Sequence, residues 1–283
     1  MPMKIIDVSE HNGIIKWNKV KGNVDAVIIR AGYGKGNVDK QFHENIKGAI
    51  EAGLKIGIYW FSYAYTTDMA KREAQYCNDL IEPYKDSITM PVFFDWEYDS
   101  MKYAKKNHVS LQKLEITELN LAFCNKIDDL GYKAGYYCNQ DYQNNYIDTN
   151  RLKGYYKWFA LYGYDDKGNN YDIWQFTDTG RVSGIVGDVD LNSSDRDISA
   201  EGYAADSGAE STEDTEEEYD MPLIKSGSKG KAVALWQIIV DAKPDGVFGA
   251  ETKKATEIFQ EAHGLVIDGI VGPNSWREGL KSV

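Results

Sequence analysis

The stretch Met90-Pro-Val-Phe-Phe-Asp-Trp-Glu-Tyr-Asp99 decides how this chain is read. Val92, Phe93 and Phe94 run into two carboxylates, Asp95 and Glu97, separated by Trp96, which is the pattern of a buried strand whose end opens onto a site. Residues i and i+2 of a strand face the same way, so both acids look to one side, with Cβ atoms roughly 6 to 7 Å apart at a rise of about 3.3 Å per residue. Apolar surroundings raise one carboxyl's pKa while polar contacts keep another ionised, and such a split pair suits the acid and stabiliser of glycoside hydrolysis. Asp-x-Glu is a common tripeptide, so its meaning depends on what the rest of the chain brings to it.

Upstream, residues 4–9 and 25–33 are short apolar strands ending in polar turns. Phe42, Ile46, Ala49 and Ile50 then recur at helical spacing until Gly53. Residues 55–63 form the next strand and 67–81 the next helix, capped by threonine and aspartate and closed before Pro83. Downstream, Leu111, Leu114, Ile116, Leu119, Phe123, Ile127 and Leu130 make the apolar stripe of a helix over 110–130. Strands follow at 133–139, 157–164, 172–177 and 186–191. About eight strands result, the first five separated by helices or long crossovers and the last three by shorter links. This predicts an α/β protein built on an irregular β/α barrel of about eight mainly parallel strands. Functional groups of such barrels sit at the carboxyl ends of strands. Asp7, Asp95 with Glu97, and Asp190 each fall at a predicted strand end, so four carboxyls remote in sequence are expected at one mouth.

Asp7-Val-Ser, Arg30-Ala-x-Tyr33, Gly57-x-Tyr59-x-Phe61, Phe94-Asp95-x-Glu97, Trp174-Gln-Phe and Val189-Asp190-Leu-Asn192, in that order over about 200 residues, resemble the glycoside hydrolase family 25 lysozymes. The resemblance implies a β-1,4-N-acetylmuramidase acting on bacterial peptidoglycan, with Glu97 as general acid and Asp95 as the ionised stabiliser of positive charge or of the 2-acetamido group. It also implies retention assisted by the substrate's own acetamido oxygen; the estimated spacing alone does not choose between retention and inversion. Trp96, Phe93 and Tyr98 would desolvate the acid. Asp7 and Asp190 would hold substrate and tune the proton, and Arg30 is expected to be an internal ion-pair partner. Tyr59, Tyr63 and Tyr137 either line the groove or pack in the strand core. Trp60 departs from the family, in which many members carry histidine there, and is expected to be a rim contact.

Composition narrows the alternatives. Among 283 residues, 20 Tyr and 7 Trp are a heavy aromatic load, suited to sugar rings as well as to cores. The net charge of −12 is concentrated in residues 204–221, which carry eight acidic residues and no Lys or Arg. Without clustered basic residues, no nucleic-acid partner is expected. Cys77, Cys124 and Cys138 read as buried thiols, and His11, His43, His108 and His263 show no metal-ligand spacing, so neither metal nor cofactor is expected. No apolar run approaches a membrane span, and no signal peptide is visible ahead of the first strand. This reading places the protein in the host cytoplasm until release at lysis.

Residues 204–221 read as an acidic tether separating a catalytic domain at 1–203 from a small all-α three-helix domain at 222–283. In the latter, Asp245-Gly-Val-Phe-Gly249 and Asp268-Gly-Ile-Val-Gly272 repeat a tight turn before a helix start. Together with Trp236-Gln237, Phe259-Gln260 and Trp276 they resemble the type 1 peptidoglycan-binding domain. Trp236 stands where leucine is usual, implying a bulkier core or an exposed contact. Glu216-Glu-Glu-Tyr-Asp-Met221 would be encoded by a purine-rich stretch ahead of a methionine, the arrangement of an internal start. A fragment beginning at Met221 would then associate with the full chain. The rival readings are a bacterial autolysin, a hydrolase of chitin-type glycan, and an inert wall-binding protein.

Overall fold

Runs of Val and Ile at the starts of the first strands fold as neighbouring parallel strands, because β-branched side chains fill both faces of a sheet covered on each side. The computed structural model describes residues 2–163, 170–200, 222–263 and 265–280. It divides into two compact units, Met1–Ser211 and Thr212–Val283. The expected tether, residues 204–221, lies outside the described residues.

In the first unit the elements are β1 (Met3–Val8), α1 (Trp17–Val20), β2 (Ala26–Tyr33), β3 (Asn37–Val38), α2 (Phe42–Ala52), β4 (Lys55–Phe61), α3 (Thr67–Ile81) and β5 (Ile88–Asp95), then α4 (Tyr98–Lys106), α5 (Lys113–Asp129), β6 (Ala134–Asn139), α6 (Gln140–Asn145), β7 (Tyr156–Ala160), β8 (Ile173–Gly180) and β9 (Val189–Ser194). The sheet runs β1-β9-β8-β7-β6-β5-β4-β2-β3, and parallel pairing of β1 with β2 closes eight strands into a barrel, leaving the short β3 as an appendage. Local chemistry sets the helix limits. Thr66 accepts the Met69 N–H at 3.2 Å to start α3, and Gly53, at φ 71°, ends α2 by donating to the Ala49 and Ile50 carbonyls.

Strand alternation separates two cores. Ile5, Ala26, Ile28, Tyr59, Met90, Phe93, Tyr137, Trp158 and Ile173 fill the barrel interior. Ile6, Val27, Ile29, Ile58, Trp60, Val92 and Phe94 face outward, packed with α2, α3 and α5 residues such as Ile46, Cys77 and Phe123. Trp60 therefore belongs to the sheet–helix core and not to the rim, lying against Gly32, where a Cβ would come within 2.7 Å of the indole. The three cysteines are free and buried. Among the described residues no helix is long and apolar enough to cross a membrane.

Three expectations are corrected. The last strand spans Val189–Ser194 rather than 186–191 and runs antiparallel to both β8 and β1. Asp190 consequently sits near the amino end of β9, and the reversed direction brings that end to the mouth beside Asp7, its partner in register. Glu97 is not in a strand: β5 stops at Asp95, and Glu97 is the N-cap of α4, a helix that sequence periodicity did not suggest.

In the second unit α7 (Lys231–Ile239), α8 (Ala250–Ala262) and α9 (Pro273–Leu280) enclose Ile224, Val233, Trp236, Phe248, Phe259, Val271 and Trp276. The sequence repeat is a repeat of hydrogen bonds. Gln237 Nε2 donates to Asp245 Oδ1 at 2.9 Å and to the Val247 carbonyl at 3.1 Å, while Gln237 Oε1 accepts the Gly246 N–H at 2.8 Å. Gln260 makes the same three bonds to Asp268, Ile270 and Gly269 at 2.9 Å each. Each glutamine thus locks the turn that follows its own helix, and Gly246 and Gly269, at φ 72° and 65°, supply the left-handed residue. Trp236 is a core residue whose Nε1 donates to Thr256 Oγ1 at 2.9 Å. Trp236→Ala should cost about 3–5 kcal/mol, comparable to the whole stability of a unit this small. Differential scanning calorimetry of the full chain should lose the transition of the second unit and keep that of the first.

Candidate active site

The barrel mouth gathers the predicted acids. Asp7 is penultimate in β1, Asp95 is the last residue of β5, and both are 5% exposed. Asp7 Oδ2 accepts from Asn192 Nδ2 at 2.9 Å and Gln175 Nε2 at 3.0 Å, and the Asp190 carboxyl bonds the same side chain. Asp95 and Glu97 form a second carboxyl–carboxyl hydrogen bond. Like charges this close disfavour one another, so the members of each pair titrate together. Burial is the largest cause in every case: it raises Asp7 and Asp95 well above the ordinary carboxylate range, and Glu97 and Asp190 above their usual values. The pairs also act on each other, Asp7 raising Asp95 and Asp190 raising Glu97.

The expectation had Asp95 ionised and the proton on Glu97. Burial instead raises both carboxyls, so the proton belongs to the pair. The two carboxyls adjoin each other, Asp95 closing β5 and Glu97 capping α4 two residues on. Trp96 is buried, its Nε1 donating to the Ala64 carbonyl at 2.8 Å, and Phe93 fills the barrel interior. Tyr98 does not desolvate the acid. It is 43% exposed, with its hydroxyl donating to Asp141 Oδ2 at 2.7 Å.

Tyr59 and Tyr137 are buried inside the mouth, and both feel Asp7 and Asp95. Both pack in the barrel interior: Tyr59 and Tyr137 each meet Trp158 edge-on, at 5.7 and 4.8 Å between ring centroids. Tyr63 is half-buried farther out, its ring against Phe61 and Tyr103. Arg30 is an internal ion-pair partner, but of Asp39 at 2.7 Å and Glu10 at 3.2 Å rather than of the reacting acids, and it lowers Asp95 only through its field.

Sequence reading assigned nothing to the polar relay beneath Asp7. Trp158 Nε1 donates to Asn192 Oδ1 at 2.7 Å, and the hydroxyls of Tyr137 and Tyr162 both donate to Gln175 Oε1 at 3.1 Å. Each amide thereby has its oxygen occupied and must turn its NH2 to Asp7. The available signal was that Gln175 stands as a polar side chain between Trp174 and Phe176 inside a predicted barrel strand, and Asn192 next to Leu191 at the end of another.

Comparison with known proteins gives this geometry its family. The glycosyl hydrolases family 25 model matches residues 6–185. The chain belongs to that family. It is a glycoside hydrolase whose second unit matches the putative peptidoglycan binding domain over residues 234–278. An autolytic lysozyme of Clostridium acetobutylicum is 28% identical over 280 residues, covering 96% of this chain and 77% of the relative. Among solved structures, the modular autolysin LytC of Streptococcus pneumoniae is 28% identical with a TM-score of 0.59, over 68% of this chain and 46% of that one. The chain thus spans under half the length of that autolysin. The CTP1L endolysin, described as regulated by a secondary translation product, is 26% identical with a TM-score of 0.58, over 69% of this chain and 67% of that one. By name these relatives are an autolytic lysozyme, an autolysin and an endolysin.

Proposed function

We propose that the chain is a muramidase that cuts the β-1,4 bond between N-acetylmuramic acid and N-acetylglucosamine in bacterial peptidoglycan, held on the wall by its C-terminal unit. The observation that carries this is the adjoining, buried Asp95–Glu97 pair at the mouth, both acids raised by burial, in a chain of family 25 with a peptidoglycan-binding domain match. Glu97 faces the leaving oxygen and delivers the pair's proton to it as the glycosidic C–O bond breaks. Glu97 also caps α4, whose amino end stabilises the carboxylate left behind.

Asp95 touches Glu97 and so cannot stand on the opposite face of the sugar as a separate nucleophile. The substrate's acetamido oxygen fills that role, attacking the anomeric carbon while Asp95 accepts the acetamido N–H and balances the developing positive charge. Water then opens the cyclic intermediate on the original face and returns a proton to Glu97. Asp7 and Asp190 keep the mouth negative, which holds the proton on the reacting pair and stabilises the cationic transition state. Reducing-end analysis of digested walls tests the bond: N-acetylmuramic acid at the new ends supports the proposal, and N-acetylglucosamine there overturns it.

The finer reading is an endolysin acting after release from the host cytoplasm, with a second product starting at Met221 that associates with the full chain. Its support is the Glu216-Glu-Glu-Tyr-Asp-Met221 sequence and the likeness to an endolysin described as regulated by a secondary translation product. Met221→Leu is expected to abolish a C-terminal band spanning residues 221–283 while full-length protein persists. A band that survives the change, or one absent from the unmodified gene, contradicts it. The autolysin reading has its own support in the Clostridium relative, which aligns over nearly the whole chain.

A further inference from the structure

Glu73 takes no part in the chemistry above, yet its carboxyl is buried, with only 2% of the residue exposed, on α3 outside the barrel. Burial pushes its pKa to about 7, and no charged group is among the causes that offset that penalty. Burying an acid at such cost demands a reason, since an apolar side chain of similar volume would stabilise a helix face at least as well. The reason lies in what the carboxyl holds. Glu73 Oε1 accepts the Tyr63 N–H at 3.1 Å, Ser62 lies close enough to offset part of the burial cost, and Oε2 has no hydrogen-bond partner among the described residues.

The turn thus fixed, Ser62-Tyr63-Ala64, reaches all three residues of the reacting segment. Ser62 N–H donates to the Asp95 carbonyl at 2.7 Å. The Ala64 carbonyl accepts the Trp96 indole N–H at 2.8 Å. The Ser62 carbonyl accepts Ser100 Oγ at 2.6 Å, and that hydroxyl in turn accepts the Glu97 N–H at 3.0 Å. Ala64 N–H closes the turn on Ser62 Oγ at 3.0 Å.

We propose that Glu73 is a positioning residue for the hydrolysis: it anchors the Ser62-Tyr63-Ala64 turn, and the turn clasps Asp95, Trp96 and Glu97 in reacting geometry. The proposal rests on Asp95 and Glu97 being the reacting carboxyls. Without the anchor, Tyr63 N–H loses its acceptor and the clasp is free to shift; a displacement of about 1 Å at reacting groups costs on the order of a hundredfold in rate.

The test compares Glu73→Met, which keeps length and burial, with Glu73→Gln, which keeps an oxygen acceptor, in the full chain acting on solubilised glycan strands. Glu73→Met should lower kcat about 10- to 100-fold with KM unchanged, while Glu73→Gln should stay close to the unmodified protein. Unchanged kcat in Glu73→Met, an equal loss in Glu73→Gln, or a loss confined to KM would overturn the proposal. Should Glu73→Met not fold, Ser62→Ala serves in its place: a several-fold fall in kcat at constant KM supports the clasp, and wild-type kcat refutes it. Glu97→Gln runs alongside. If that variant stays active, the choice of reacting carboxyls has failed, a result separate from the outcome for Glu73.

Discussion

Glu97→Gln should lower kcat on purified walls by about a thousandfold, the middle of the range for losing a positioned general acid, and leave wall binding intact. The amide cannot give up a proton to the leaving oxygen, and it also ends the sharing with Asp95. Binding survives because the peptidoglycan-binding match lies over residues 234–278, in a unit with its own core. Turbidity loss and pull-down on the same walls separate the two effects. Unchanged lysis by the variant would remove Glu97 from the mechanism. Absence of lysis by the unmodified protein would favour the inert wall-binding reading instead.

Asp95→Asn should combine a loss of activity of about a hundredfold with a gain in stability. The new amide donates to Glu97 and favours its ionised form, so the pair no longer holds a proton for the leaving group. The stability effect follows from linkage. Asp95 has a folded-state pKa well above its unfolded value, so the folded state binds more protons between the two. Its contribution is full below the unfolded pKa and is lost as pH rises through the folded one. At neutral and alkaline pH the buried carboxyl is therefore a burden, and removing it should stabilise the barrel by ~1–2 kcal/mol, within the range for neutralising buried charge. Thermal melts from pH 5 to 8 should show the unmodified protein losing stability more steeply than the variant. Parallel slopes would show that Asp95 titrates as an ordinary surface acid. Activity should fall over the same alkaline range, as the shared proton leaves.

Much of this site was legible in the sequence alone. Apolar runs bounded by Gly and Pro located the barrel strands, and the acids at their ends pointed to the mouth. Gly53 and a threonine–aspartate cap marked helix limits through chemistry that acts within one turn of chain, and Thr66 is the residue that caps. The direction of β9 was missed because an apolar run reads the same both ways. Only eight residues separate Gly180 from Val189, too few for the crossover that a parallel strand needs, and that length was the available signal. The place of Glu97 was missed for a different reason. Asp95-Trp-Glu97 continues the strand alternation, and the alternation hides both the capping box that Glu97 makes with Ser100 and the bond from the remote Ser62 N–H to the Asp95 carbonyl. Gln175 and Asn192 were in view as letters, but their role depends on Trp158, Tyr137 and Tyr162 occupying their oxygens, which is a fact of packing. In the second unit the opposite held: the Asp-Gly repeat in sequence is the hydrogen-bond repeat in structure, because every bond in it spans ten residues or fewer.

The most direct measurement is a 13C titration of the side-chain carboxyls in the full chain, with Asp95→Asn and Glu97→Gln to assign the signals. Joint titration of the Asp95 and Glu97 resonances, with one proton still bound to the pair at neutral pH, is the predicted result. Independent titration of both at ordinary carboxylate values would contradict it, and with it the source of the proton that breaks the glycosidic bond.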